Sequence, residues 1–312
     1  MNLIPAHAGS ILQENPPRDK DYLARPRVLR ARGRTVDLHR RPLIMGILNI
    51  NDDSFSSDGR IDTPWALSRS VEMVAEGADL IDVGGESART NRGPIDEEEE
   101  LRRVRPFIEG FEQAMNSASP RDPDQIFPPL VSLNTWRSGV VSGCLQSGFD
   151  ILNDMSALPD DTNARLCASI GAALLIMHSR GEPKVRHTHV TYPDVISELL
   201  EFFDQKTGLA IAAGIPRDSL ILDPGIDFAK QVDDNLRLFR ELESLTKTGF
   251  PVLLPVSRKS VIGRVLGIEK PADRDAGTVA CIVAGCLRGA SIFRVHNIPA
   301  ARLAIRAVEA LK

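Results

Sequence analysis

Eight short apolar runs in this sequence end in hydrogen-bonding or charged residues. Asn49 closes "LIMGILNI", Asp82 stands in "LIDVGG", Asn134 in "LVSLNT" and Asn153 in "ILND". His178 follows in "ALLIMHS" and Asp223 in "LILDPG". Ser257 and Lys259 come after "PVLLPV", and Arg294 and His296 belong to "IFRVHN". Taken singly, an Asn or Asp at a strand end is a cap or turn former, and a histidine in an apolar strand is a satisfied core residue. Taken together they would furnish one cup with carboxylates, amides, cations and imidazoles. A carboxylate accepts two N–H donors side by side and an amide both donates and accepts, which suits a flat heterocycle bearing amino and carbonyl groups. Arg294 and His296, two apart on a strand, point the same way and suit a cluster of anionic oxygens such as a phosphate. In "SRKSVIG" the residues from Ser257 to Ser260 sit where a strand gives way to a helix, and free backbone N–H groups there attract an anion.

Such a cup forms only if every run ends at the same place. The runs are of strand length, rich in Val, Ile and Leu, and nearly continuous, as strands covered on both faces are. Amphipathic segments separate most of them. "TPWALSRSVEMVAEGA" keeps Trp65, Leu67, Val71, Val74 and Ala75 on one helical face. "DEEEELRRVRPFIEGFEQAM" opens on Asp96, a good N-cap, and crowds acids into the first turn, where they favour the helix dipole. That acidic run reads as a solvated helix start rather than a metal site. Eight parallel strands, each followed by a helix, predict an α/β fold: a single (β/α)8 TIM barrel whose strand C-termini share one mouth. A doubly wound open sheet is the alternative. The spacing shows no internal boundary, so residues 21–312 are expected to form one domain. Its residues 21–41 are expected to make an N-terminal β-hairpin turning at Arg32-Gly33, with 1–20 a flexible tail. "ASPRDPDQIFPP" is expected to cross the bottom of the barrel as a loop.

The composition is that of an ordinary globular chain: 312 residues, 42% hydrophobic, 26% charged, net charge -4. No global field attracts nucleic acid. The seven arginines between Arg25 and Arg41 are read as a solvated hairpin rather than a nucleic-acid arm. Cys144, Cys167, Cys281 and Cys286 form no C-x-x-C pair and are expected to be small core residues in a reducing compartment. No signal peptide and no membrane-length apolar run is visible, so a cytoplasmic location with no membrane partner is expected.

The blocks "MGILNINDDSFSSDG", "GADLIDVGGESARTNRG", "ILNDMSAL", "LIMHSRGEPK", "AGIPRDSLILDPGIDFAK", "VSRKSVIG" and "RVHN" together resemble the dihydropteroate synthases of the pterin-binding barrel family. The resemblance runs in order from about Pro42 to the C-terminus. It implies a transferase of folate biosynthesis that joins 6-hydroxymethyl-7,8-dihydropterin diphosphate to p-aminobenzoate, and the homodimer common in the family. Carried over motif by motif, Asp223, Lys259 and Asn153 would grip the pterin ring. Arg294 and His296 would bind the diphosphate, and Asn49 would help hold Mg²⁺ or the diphosphate. Asn134 would stand on the catalytic pterin edge. Ser260 would lie near the aminobenzoate carboxylate, and Asp82 would support the pocket floor. "NINDDSFSSDG" and "ESARTNRG" would be loops over the mouth, with Phe55 and Arg89 helping to form the aminobenzoate site.

The sequence departs from the family pattern at several of these places. Asn134 replaces an aspartate, which keeps the shape but loses a negative charge. Asn51-Asp52 replace Thr-Pro, Ala88 replaces a threonine, and Thr90-Asn91 replace Pro-Gly. Asp227 and Ala229 stand where glycines are expected, and Pro255 replaces another. These departures leave open a diverged pterin-binding paralogue with little or no synthase activity. A pterin-dependent methyltransferase is a further alternative, though it has no need of the Arg294–His296 pair.

Overall fold

The computed structural model describes residues 28–51, 60–86, 93–181, 185 and 190–311. The expected tail at 1–20 and the start of the hairpin lie outside these residues, as do Asp52, Phe55, Ala88, Arg89, Thr90 and Asn91.

The chain opens with β1 (Val28–Ala31) and β2 (Arg34–Asp37). They pair antiparallel, with Arg32 at φ 44° and Gly33 at φ 77° in the two-residue turn, the left-handed pair that matches strand twist. There follow β3 (Leu43–Asn49), α1 (Thr63–Glu76), β4 (Leu80–Gly84), α2 (Glu97–Met115), β5 (Leu130–Asn134), α3 (Ser138–Cys144) and β6 (Ile151–Asp154). Next come α4 (Thr162–Ile170), β7 (Ala173–Met177), α5 (Val195–Ala212), β8 (Leu220–Asp223), α6 (Val232–Arg240) and α7 (Leu242–Thr246). The chain closes with β9 (Leu253–Leu254), α8 (Ser260–Leu266), α9 (Asp275–Leu287), β10 (Ile292–Val295) and α10 (Ile298–Ala310). β3 to β8 pair in parallel in chain order, and β10 pairs with both β3 and β9. A parallel bridge between Leu222 and Val252 joins β8 to the start of β9 and closes the ring. β9 is shorter than its apolar run because Pro255 has no N–H to give to a ladder.

Local chemistry sets the helix ends. Asp62, Asp96 and Asn297 each accept a backbone N–H from the first turn of α1, α2 and α10, caps worth about 1 kcal/mol apiece. The acids of the Asp96 helix are therefore a helix start, as expected.

Strand parity divides the core. Residues Leu43, Met45, Leu80, Leu130, Ile151, Ala173, Leu175, Ile221, Leu253 and Ile292 point inward. They pack against Leu29, Ala31, Val36 and Leu38 of the hairpin, which plugs the barrel bottom. The alternate residues, among them Ile44, Leu48, Ile81, Val83, Leu133 and Phe293, face the helices. Gly46 is one of these: a Cβ there would come within 2.5 Å of the Met73 methyl, so the end of that side chain would have to shift for α1 to keep its place against β3. The bottom loop is pinned as well. Gln125 Nε2 donates to the carbonyls of Val74 and Ala78, and buried Asp79 receives Arg41 and the backbone N–H of Ile44 and Ile126. All four cysteines are free, and three of them are fully buried.

Candidate functional site

Inward parity continues up each strand and changes character at the top. Above the apolar layer the inward positions become Asn49, Asp82, Asn134, Asn153, Met177, Asp223, Arg294 and His296. They surround a cavity of about 280 Å³ at the C-terminal mouth, lined also by Glu86, Met155, Asp227, Phe228, Pro255, Ser257, Lys259 and Ser260. Nine of the eleven positions to which the family resemblance gives a role line this cavity or support its floor within the described residues: Asn49, Asn134, Asn153, Asp223, Lys259, Ser260, Arg294 and His296 line it, and Asp82 supports it. A larger cavity, about 390 Å³, lies at the opposite end. Its arginines are taken up by acids, Arg41 by Asp79 and Asp124 and both Arg302 and Arg306 by Asp122. It therefore presents no comparable set of converging groups.

Asp82 is the hub beneath the mouth. It is fully buried and accepts from Ser132 Oγ at 2.6 Å, Asn134 Nδ2 at 2.9 Å, Asn153 Nδ2 at 3.2 Å and Arg294 Nε at 2.6 Å. A buried charge is tolerable when it is paired and saturated in this way. The cluster draws β4, β5, β6 and β10 into one arrangement and aims both amides and the guanidinium. Asn134, where an aspartate was expected, is a donor to this hub.

Across the cup, burial raises the Asp223 carboxyl to about 6, against the opposing pull of the Gly225 N–H and of Lys259, Lys230 and Arg294. Burial lowers Lys259, which Asp227 and Asp223 counter. Lys259 Nζ donates to Ile226 O at 2.8 Å and lies 4.7 Å from the Phe228 ring centre. His296 Nδ1 and Ser257 Oγ are 2.7 Å apart, which fixes the imidazole beside Arg294.

Two expectations change. The first concerns His178, read as part of the mouth. It is buried at the opposite parity, on the helix side of β7, with Phe202 and Phe203 around its ring. Burial and the nearby Lys230 push it down to about 2, so it is neutral, and its Nδ1 lies 2.8 Å from Lys230 Nζ. Lys230 also donates to the carbonyls of His178, Gly225 and Phe228. Its task is to hold the loop after β8, where a Cβ at Gly225 would meet His178 O at 1.9 Å. Counting parity from Asp223, whose register partner is Met177, would have excluded His178.

The second concerns the free N–H groups of "SRKS". Asp227 Oδ2 accepts from Ser260 N at 2.5 Å and Oδ1 from Val261 N at 3.2 Å. The expected anion is therefore the chain's own carboxylate. Asp227 and Ala229 take left-handed backbone, φ 67° and 51°, which explains the expectation of glycine at both and costs Ala229 about 1 kcal/mol. Phe228, Met155 and Met177 were missed by sequence reasoning. Apolar residues in strands and loops look alike until the mouth is assembled.

Comparison with known proteins agrees with the barrel fold. A family model described as "Pterin binding enzyme" matches residues 45–296. A dihydropteroate synthase of Synechocystis is 35% identical over 282 residues, covering 89% of this chain and 93% of that protein. The crystal structure of the Yersinia pestis dihydropteroate synthase with a sulfonamide drug superposes with a TM-score of 0.81 at 35% identity, over 91% of this chain and 98% of that one. The Thermus thermophilus dihydropteroate synthase in complex with 4-aminobenzoate gives a TM-score of 0.79 at 34% identity, over 92% and 100% of the two chains.

Proposed function

The chain belongs to the pterin-binding enzyme family, and on that premise we propose that it is a dihydropteroate synthase. It condenses 6-hydroxymethyl-7,8-dihydropterin diphosphate with p-aminobenzoate, giving 7,8-dihydropteroate and diphosphate. The observation that carries the reading is the convergence of Asn153, Asp223, Lys259, Arg294 and His296 on one cavity. Asp223 accepts the amino and ring N–H donors of the pterin, Asn153 pairs with the neighbouring edge, and Lys259 donates to the ring. Arg294, its Nε on Asp82, offers its remaining N–H groups to the diphosphate beside His296. The C–O bond between the pterin methylene and the diphosphate breaks, and the departing oxygens carry away the electron pair. The arylamine nitrogen then bonds to the methylene and releases a proton. The protein contributes orientation, a countercharge for the leaving anion and a walled cup that limits water.

Among the described residues no three His, Cys, Asp or Glu side chains are grouped to hold a metal. Mg²⁺ needs no such cage, since it keeps its waters and binds through substrate phosphates. The amide oxygen of Asn49 fits an ion that arrives with the diphosphate, where it would neutralise leaving-group charge. Assembly as a homodimer and a cytoplasmic location belong to the same proposal. No helix among the described residues is long and apolar enough to cross a membrane.

The test is a coupled assay of pyrophosphate release with both substrates, beside calorimetric titration of the pterin. Release that needs both substrates is expected. Pterin binding without release would instead mark the weak paralogue to which Asn134 points, and absence of both would sink the reading.

The raised Asp223 carboxyl adds a pH signature. Gripping two N–H donors needs the ionised form, so kcat/KM for the pterin substrate should fall about tenfold per pH unit below about 6. The Asp223→Asn variant should lose most of this efficiency and the acid limb with it. The same shift opposes folding. A carboxyl raised above its unfolded value near 3.8 supports the fold in acid and loses that support as pH rises through about 6. Asp223→Asn should therefore melt higher than the parent at pH 7.5, and a flat activity profile from pH 5 to 8 would refute the assignment.

A further inference from the structure

Asp227 lines the mouth yet has no part in the reaction described above. Its N–H donates to Asn235 Oδ1 at 2.9 Å, and its left-handed backbone turns the carboxylate across the cavity wall. There it accepts from Ser260 N at 2.5 Å and from Val261 N at 3.2 and 3.4 Å. By the family resemblance, Ser260 is the residue beside which the carboxylate of the second substrate would lie. The backbone N–H groups on that side thus already donate to a group of the same charge as the substrate's. The ammonium of Lys259, which donates to Ile226 O, lies in the field of both Asp227 and Asp223.

We propose that Asp227 is a specificity-determining residue that competes with the carboxylate of p-aminobenzoate for the Ser260 side of the cavity. It thereby narrows the preference for a carboxylate-bearing arylamine over an uncharged one. The inference rests on the synthase reading of this same cavity. Two carboxylates in a half-buried site repel. Either Asp227 gives up its N–H partners when the acceptor enters, or the acceptor binds without a charge-assisted contact. Both outcomes weaken the charged ligand and leave a neutral analogue nearly untouched, which is how a built-in repulsive element sets specificity.

Asparagine and glycine both tolerate left-handed backbone, so Asp227→Asn and Asp227→Gly remove the charge without straining the loop. Asparagine also keeps an oxygen for the Ser260 N–H. Dissociation constants for p-aminobenzoate and p-aminobenzamide are measured by calorimetry on the parent and both variants, each saturated with 6-hydroxymethylpterin and pyrophosphate. p-Aminobenzoate is expected to bind about tenfold tighter to both variants, with p-aminobenzamide changing less than about twofold. If the two ligands shift together, or neither shifts, the proposal is overturned. Pyrophosphate release is followed on the same three proteins. Its absence from all of them would sink the synthase reading, while the ratio of the two dissociation constants still judges Asp227.

Discussion

Asn134→Asp is expected to raise kcat for pyrophosphate release by about 10²-fold, the size of one preorganised electrostatic contact in a dry site. Asn134 lines the pterin side of the mouth and donates from Nδ2 to Asp82 at 2.9 Å. As the methylene carbon loses its leaving group, positive charge develops on the pterin, and a neutral amide does little for it. An added carboxylate at that position stabilises the developing charge more than the ground state, which is the condition for raising kcat rather than only lowering KM. The substitution also turns a donor into a second acid against Asp82, which Arg294 alone among the described cations engages directly. Two close carboxylates share a proton until the solution is basic enough to remove it. The gain should therefore appear towards alkaline pH and fade in acid, and the variant should melt lower than the parent at pH 8. A kcat that stays level or falls across the whole range would mean that Asn134 is tuned to this site rather than a loss from it.

Arg137→Ala should cost about 3–5 kcal/mol of stability, the penalty for leaving a buried charge without its counter-ion. Arg137 Nη1 holds Glu86 at 2.6 Å and also pairs with Glu100, while Nη2 donates to Ile95 O at 2.8 Å. Glu100 is wholly buried, and burial raises its pKa against the pull of Thr135 and Arg137. A carboxyl raised in this way supports folding in acid and loses that support as pH rises. The deficit of the variant should therefore be larger at pH 8 than at pH 5. Glu100→Gln placed on top of Arg137→Ala should recover part of it. Glu86 lines the mouth and accepts from Ile95 N at 3.3 Å, so the cluster clamps the chain on both sides of residues 87–92. KM for the diphosphate substrate should rise with the loss of stability. Thermal melts in urea-free buffer at the two pH values decide it, and an unchanged midpoint would show that the cluster carries no net stabilisation.

How much of this was legible beforehand depends on the distance over which each feature is decided. The apolar runs around Met45, Ile81, Leu133 and Ile176 announced strands because a strand buried on both faces needs no partner to be recognised in sequence. Asp96 announced a helix start because caps act within one turn. The hydrophobic period of "DDNLRLFRELESL" runs on without interruption, yet the helix breaks at Glu241 into two, since a break of one residue leaves that period nearly intact. Asn153, Asp223, Lys259 and Arg294 could be named because a barrel sends every strand end to one rim.

The sequence alone determined the order of strands and helices, the polar crown at the strand ends and the family resemblance, all of which rest on neighbours in the chain. Tertiary structure alone decided which crown residues face inward and what they touch. It turned His178 toward the helices, made Asp82 a hub for Arg294 across 212 positions, and laid the Asp227 carboxylate on Ser260. The physical reason is that these contacts depend on strand register and ring closure, and a shift of one residue along a strand moves every side chain to the other face.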